Sequence, residues 1–115
     1  MNFDTITMDD IWREIEIQLN RNTEPIKSIN TTYSFDLSGD DGGLFGLKIM
    51  DEKAVTIQGD PGESDCALSL SVKDFKKLLA GNLNSTASYM TGKLKVKGSL
   101  GHALKLESLL KQYTF

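Results

Sequence analysis

The sequence predicts an α+β domain of two layers, a sheet with helices on one face, in the order α-β-β-β-β-α-α-β-α. Three observations carry this. Several stretches alternate apolar and polar residues, the period of a strand with one covered and one wetter face. Others repeat apolar residues every three or four positions, the period of a helix packed on one side. The chain has 115 residues, 39% of them hydrophobic and 25% charged. That fits one domain over residues 1–115 with a single core that needs no disulfide or metal staple.

The first helix is predicted after Thr7, a good N-cap, with Asp9 and Asp10 in its first turn, where negative charge suits the helix dipole. Met8, Ile11, Trp12, Ile15 and Leu19 share one face, and the helix should fade near Asn20 to Asn22. Strict alternation follows. Ile29, Thr31, Tyr33, Phe35 and Leu37 lie on one side of a strand. Gly39 to Gly43 is a turn, too short for a lid. Phe45, Leu47 and Ile49 mark a second strand, Asp51-Glu52-Lys53 a turn, and Val55 and Ile57 a third strand. Short connections make these three an antiparallel meander.

Asp60-Pro61-Gly62 turns the chain again. Cys66, Leu68 and Leu70 alternate with Ala67 and Ser69 in a fourth strand. Ser71 and Asp74 form a variant capping box before a helix with Val72, Phe75, Leu78 and Leu79 on its apolar face. Gly81 stands where a left-handed C-terminal residue belongs. Asn84 or Ser85 starts a short helix carrying Ala87, Tyr89 and Met90, which Gly92 ends. Leu94 and Val96 alternate with Lys93, Lys95 and Lys97 in a fifth strand. Gly98 breaks it, and Ser99 is placed to cap a last helix with Leu100, Ala103, Leu104, Leu106, Leu109, Leu110 and Tyr113.

Composition narrows function. Residues 1–65 hold fourteen acids and five bases, and residues 66–115 hold two acids and eight bases. Such halves either face each other and partly neutralise in one fold or leave one half for an anionic partner, and the overall net charge of −3 argues against general nucleic-acid binding. No apolar run exceeds three residues, which leaves no transmembrane helix. The acidic N-terminus lacks a basic-then-apolar signal peptide, so a cytoplasmic location is expected. The N-x-[ST] sequons at Asn30 and Asn84 then go unread.

Several chemistries lack their residues. There is no G-x-G-x-x-G or P-loop, no G-x-S-x-G elbow, and no EF-hand spacing around Asp36 to Gly43. One cysteine, Cys66, and one histidine, His102, cannot build a cysteine- or histidine-rich zinc site. As a nucleophile and base they lack the rest of a catalytic constellation. No cofactor, metal or catalytic residue is expected.

The segment Asp65–Leu110 reads DCALSLSVKDFKKLLAGNLNSTASYMTGKLKVKGSLGHALKLESLL. Asp65-Cys66, the Asp74-Phe75 helix ending at Gly81, Asn84–Met90, the GKLKVKG run from Gly92 to Gly98, and Ala103-Leu104-Lys105-Leu106 occur in order. This set resembles the sterol carrier protein type two (sterol-binding domain) family, and the N-terminal half matches in element order. The resemblance implies a five-stranded mixed sheet with helices on one face. It also implies an apolar tunnel between sheet and helices that binds fatty acid, fatty acyl-CoA, phospholipid or sterol without covalent chemistry. Two features depart from the family. The chain ends Tyr113-Thr114-Phe115 rather than in a peroxisomal S-K-L tripeptide, and His102 stands where an apolar residue is usual.

A tunnel of this kind needs apolar walls, since burying each methylene contributes roughly 0.8 kcal/mol. Polar groups at its mouth set head-group preference. The expected wall residues are Phe75, Leu78 and Leu79 on one helix and Leu83, Tyr89 and Met90 around the next. Leu104, Leu109, Leu110 and Tyr113 follow on the last, with Phe115 at the end. Lys93, Lys95 and Lys97 either protect an edge strand or attract an anionic membrane or acyl-CoA head group. The expected function is non-enzymatic binding or transfer of a long-chain lipid, with fatty acid, acyl-CoA or phospholipid ahead of sterol. The rival is a module of the same fold with a filled core, acting as a dimer or as the partner of an enzyme.

Overall fold

The computed structural model describes residues 2–115. Helix α1 spans Met8–Arg21. It starts as its sequence requires, with the Thr7 hydroxyl accepting the Asp10 N–H at 3.2 Å. Its five periodic residues, Met8, Ile11, Trp12, Ile15 and Leu19, are all buried. A second acceptor comes from far along the chain, since the Asp41 carboxylate takes the Met8 N–H at 2.6 Å. A 3₁₀ turn over Glu24–Ile26, with Pro25 near its start, follows the helix. Ile29 closes that turn by donating its N–H to the Ile26 carbonyl at 3.1 Å, and so falls outside the strand its alternation suggested.

Strands β1 (Thr31–Ser38), β2 (Gly43–Met50) and β3 (Lys53–Gln58) form the expected meander. Strand β4 (Cys66–Ser71) pairs parallel with β1, and β5 (Lys95–Gly98) pairs antiparallel with β4. The five-stranded mixed sheet runs β3-β2-β1-β4-β5. The alternating residues Tyr33, Phe35, Leu37, Leu47, Ile49, Cys66, Leu68 and Leu70 are buried beneath the helices.

Because β4 runs parallel to β1, and so to β3, the link from β3 to β4 must travel back along the sheet, and it does so across the uncovered face. Residues 59–65 make that crossing. The Ser34 and Ser64 hydroxyls meet at 3.0 Å. Asp65 grips Thr32 twice: its N–H donates to the Thr32 carbonyl, and its carboxylate accepts the Thr32 N–H, both at 2.8 Å. Gly98 faces this link. Its φ is +100°, and a Cβ there would stand 2.6 Å from the Asp65 carbonyl oxygen, so no side chain fits.

Helix α2 (Val72–Leu79) begins at Ser71, whose hydroxyl accepts the Asp74 N–H at 3.0 Å. Helix α3 (Ser85–Met90) begins at Asn84, whose side chain accepts the Ala87 N–H at 3.0 Å. Helix α4 (Leu100–Leu110) begins at Ser99, but that hydroxyl makes no capping bond, unlike the expected cap. The Tyr33 hydroxyl instead ties the sheet to the first turn of α4 by donating to the His102 carbonyl at 2.8 Å. Trp12 stacks on Phe45 and Phe75 with ring centroids at 5.3 and 5.0 Å, and lies 5.0 Å from Phe35. This aromatic cluster joins α1 and α2 over the sheet.

Candidate functional site

Where α2, α3 and α4 lie over β4, the core holds a seam. Leu68 and Leu70 form its floor, Leu78 and Leu83 one wall, and Ala103 and Leu106 the other, with Leu94 and Ser85 completing it. Seven of these eight side chains are hydrocarbon, so the seam offers burial and almost no polar specificity. Its void is about 10 Å³, the scale of a single water. The side chains around it are packed: Leu78 is 5% exposed, Ala103 4% and Leu106 1%.

Polar ties hold α3 in place. The Glu107 carboxylate of α4 accepts the Ser85 N–H at 2.7 Å. At the other end of α3, the Leu94 N–H donates to the Ser88 carbonyl at 3.0 Å. Both serines are buried.

A model of the SCP-2 sterol transfer family matches residues 14–111. The chain belongs to the SCP-2 sterol transfer family. It is 36% identical over 110 residues to hydroxysteroid dehydrogenase-like protein 2 of Xenopus laevis, covering 95% of this chain and 26% of that protein. The human protein of the same name is 38% identical over 88 residues, covering 76% of this chain and 21% of its own length. The chain thus spans about a quarter of the length of these curated relatives. Among solved structures, the apo form of sterol carrier protein 2 from Yarrowia lipolytica is 32% identical. Its TM-score is 0.71, with 88% of this chain and 87% of that one covered. The sterol carrier protein domain 2 of Helicoverpa armigera shares the fold at TM-score 0.74 and 24% identity, covering 90% and 84%.

Within this SCP-2 domain the expected wall residues fall into distinct groups. Leu78 and Leu83 border the seam. Leu79, Leu109 and Leu110 are buried in the same core outside that lining. Phe75 is also buried, stacked on Trp12 and 5.6 Å from Phe35. Leu104 is 36% exposed. It lines an open surface groove with Pro25, Ile29 and Leu109. Tyr113 is half-buried and donates its hydroxyl to the Asn22 carbonyl at 2.7 Å, with the Phe115 ring 6.1 Å away.

Tyr89 and Met90 stand on the outside. They are 43% and 80% exposed, while Ser85 and Ser88 of the same helix are 3% and 9% exposed. Small residues face inward, and at the start of the helix Glu107 of α4 reaches the Ser85 backbone. The periodicity of six residues was too short to show which side that would be. Sequence reasoning also passed over Leu68, Leu70, Leu94, Ala103 and Leu106 as seam residues. The signal was present, since the apolar side of β4 must be the floor of whatever α2 and α4 cover.

Lys95 and Lys97 lie opposite Ser69 and Ala67 on the uncovered face of the edge strand β5. Lys93 and Lys95 meet Lys73 and Lys77 of α2 around an open groove of about 610 Å³. Cys66 is fully buried and donates its thiol to the Ser99 carbonyl at 3.7 Å. Burial, with the nearby Asp65 charge, pushes that thiol up from its ordinary value, the reverse of what a nucleophile requires. The His102 Nδ1 is buried without a hydrogen-bond partner among the described residues. No helix among the described residues is long and apolar enough to cross a membrane.

Proposed function

We propose that this SCP-2 domain binds one long-chain lipid, a fatty acid, fatty acyl-CoA or phospholipid, without covalent chemistry, in the seam between β4 and helices α2 to α4. The observation that supports it is the lining: Leu68, Leu70, Leu78, Leu83, Leu94, Ala103 and Leu106 surround one void between sheet and helices. A chain of about 16 carbons buried there contributes on the order of 10 kcal/mol before ordering costs. A void of about 10 Å³ admits no acyl chain as it stands, so binding must part α3 and α4 from the sheet. Such a closed apolar seam is a minor-state pocket that ligand binding makes dominant.

The same small void favours a second reading, in which the core stays filled and the domain serves as an interaction module beside an enzyme. In relatives named hydroxysteroid dehydrogenase-like protein 2 the matching region is about a quarter of the chain, which leaves room for such a partner.

Native mass spectrometry with added palmitate, palmitoyl-CoA and phosphatidylcholine separates the two. One lipid per chain is expected, lost in Ala103→Phe, which fills the seam, and retained in Met90→Arg, whose site is on the surface. A folded wild-type protein that takes up none of the three lipids supports the interaction module instead.

A further inference from the structure

Trp12 is the chain's one tryptophan, and its side chain is 1% exposed. The indole N–H is buried and finds no acceptor among the described residues. Nearly every buried N–H of a folded protein is bonded, so an orphaned one calls for a partner. The neighbouring rings do not supply it. Phe45 and Phe75 stack on the indole at 5.3 and 5.0 Å, tilted from its plane by 18° and 21°. Both lie over an indole face, while the N–H lies in the indole plane and points past them. Phe35, inclined by 59° at 5.0 Å, leaves at most a weak contact between N–H and ring. The same cluster adjoins the apolar seam. Phe35 of β1 stands opposite Leu68 of β4 in the parallel register, and Leu68 belongs to the seam floor. Phe75 lies about one turn before Leu78 on α2, and Leu78 belongs to the seam wall. Floor and wall thus each lead, by one side chain, to a ring that touches Trp12.

We infer that the Trp12 N–H selects lipids whose acyl chain carries a neutral oxygen, a ketone or a hydroxyl, and donates to that oxygen. This rests on the lipid-binding reading of the seam and narrows it to oxygenated chains. A chain that parts the helices from β4 and runs on between the sheet and α2 reaches the orphaned N–H. A neutral oxygen is what that place accepts. Phe35, Phe45 and Phe75 offer a carboxylate no opposite charge, and burying an ionised carboxylate unpaired costs more than one N–H bond returns. The acid head group therefore stays at the mouth of the seam. A saturated chain fills the same space and leaves the N–H unbonded in the free and the loaded protein alike. An oxygen at the right depth satisfies it only in the loaded one, which is how a buried polar group discriminates between otherwise similar ligands.

The test compares stearate with stearates that carry a single ketone at mid-chain or near the tail. A single indole resonance in nitrogen-15 NMR reports Trp12 directly, because the chain has one tryptophan. With at least one ketone that resonance should move downfield of its position in the stearate complex. In competition against a fluorescent fatty acid, the same ketone should bind about tenfold tighter than stearate. Trp12→Phe keeps a ring in the stack and removes the N–H, so stearate and ketone should then bind alike. Their ratio is insensitive to whatever the variant loses in packing. Should Trp12→Phe fail to fold, the indole shift and the affinity ratio of the parent decide. Ketones that bind no better than stearate, or that leave the indole resonance where stearate puts it, overturn the inference and leave the lipid-binding reading intact. A preference that survives in Trp12→Phe does the same. If neither stearate nor any ketone is taken up, the seam and its selectivity fall together.

Discussion

Pro61 rests on the bare backbone of Gly46. A Cβ at position 46 would lie 2.5 Å from the Pro61 Cβ and 2.8 Å from its Cγ. This is where the link between β3 and β4 crosses the uncovered face, so the missing side chain lets the crossing lie flat. A pyrrolidine ring has no flexible end to move aside. Gly46→Ala should therefore lift the link and destabilise the domain by about 1–3 kcal/mol, read as a lower urea midpoint at unchanged slope. Gly46→Ala combined with Pro61→Gly should recover part of that loss, since the clash is with the ring.

The β2–β3 hairpin is strained in a different way. Its two-residue loop places Asp51 at φ +53° and Glu52 at φ +60°, the pattern of a type I′ turn, which favours Asn-Gly. Glu52 has a Cβ where glycine is at ease, at a cost of about 1 kcal/mol. Glu52→Gly should raise stability by up to about 1 kcal/mol, a few degrees in Tm, less what the unfolded chain gains in freedom. Thermal denaturation followed by circular dichroism measures it.

Local signals account for what was legible in the sequence. Thr7, Ser71 and Asn84 are capping residues whose bonds to the next turn need no tertiary partner, and each forms. The alternation of Tyr33, Phe35 and Leu37 fixes which face of β1 is buried, whatever lies beside it. The family resemblance implied only that the sheet is mixed; the parallel pairing of β1 with β4 was not legible, because it depends on a link that passes over Gly46 far away in sequence. The direction of α3 was not legible either. Six residues are under two turns, and which side of α3 is buried depends on the elements it packs against, far away in sequence. The candidate walls were half legible for the same reason: apolar spacing marks Leu78 and Leu109 alike, and only packing puts one at the seam.

Tyr33 should make the fold sensitive to alkali. Burial raises its hydroxyl far above the ordinary tyrosine value, with neighbouring Cys66 and Asp65 adding to the shift, and the Cys66 thiol is raised as well. The native state therefore keeps protons that the unfolded chain releases above about pH 9 to 10. There the unfolded state binds fewer protons than the native one, so stability must fall as pH rises. Below that range both states hold them and the contribution is fully present. Urea midpoints should be level near neutrality and drop by about pH 10.5. Tyr33→Phe should lose about 1 kcal/mol at neutral pH with its bond to the His102 carbonyl, and should show a shallower alkaline fall. An equal fall in both proteins would assign the effect to Cys66 and the surface.

Glu107 is the latch on α3. Its carboxylate takes the Ser85 N–H at 2.7 Å and is 4.0 Å from the Lys111 ammonium. A charge-assisted bond to a helix's first N–H is worth about 1.5–3 kcal/mol, and α3 has few other polar ties. Glu107→Ala should thus cost stability while freeing α3 to leave the seam. If lipid enters by parting α3 from α4 and the sheet, the variant should load a fluorescent fatty acid several-fold faster than the parent and bind it more tightly, because the tie stabilises the closed state and not the loaded one. Glu107→Gln keeps an acceptor oxygen and should sit between the two. Stopped-flow fluorescence gives the rates and urea denaturation the stabilities. A variant that is less stable yet loads at the parental rate would place the entrance elsewhere, for instance at the open groove beside Leu104.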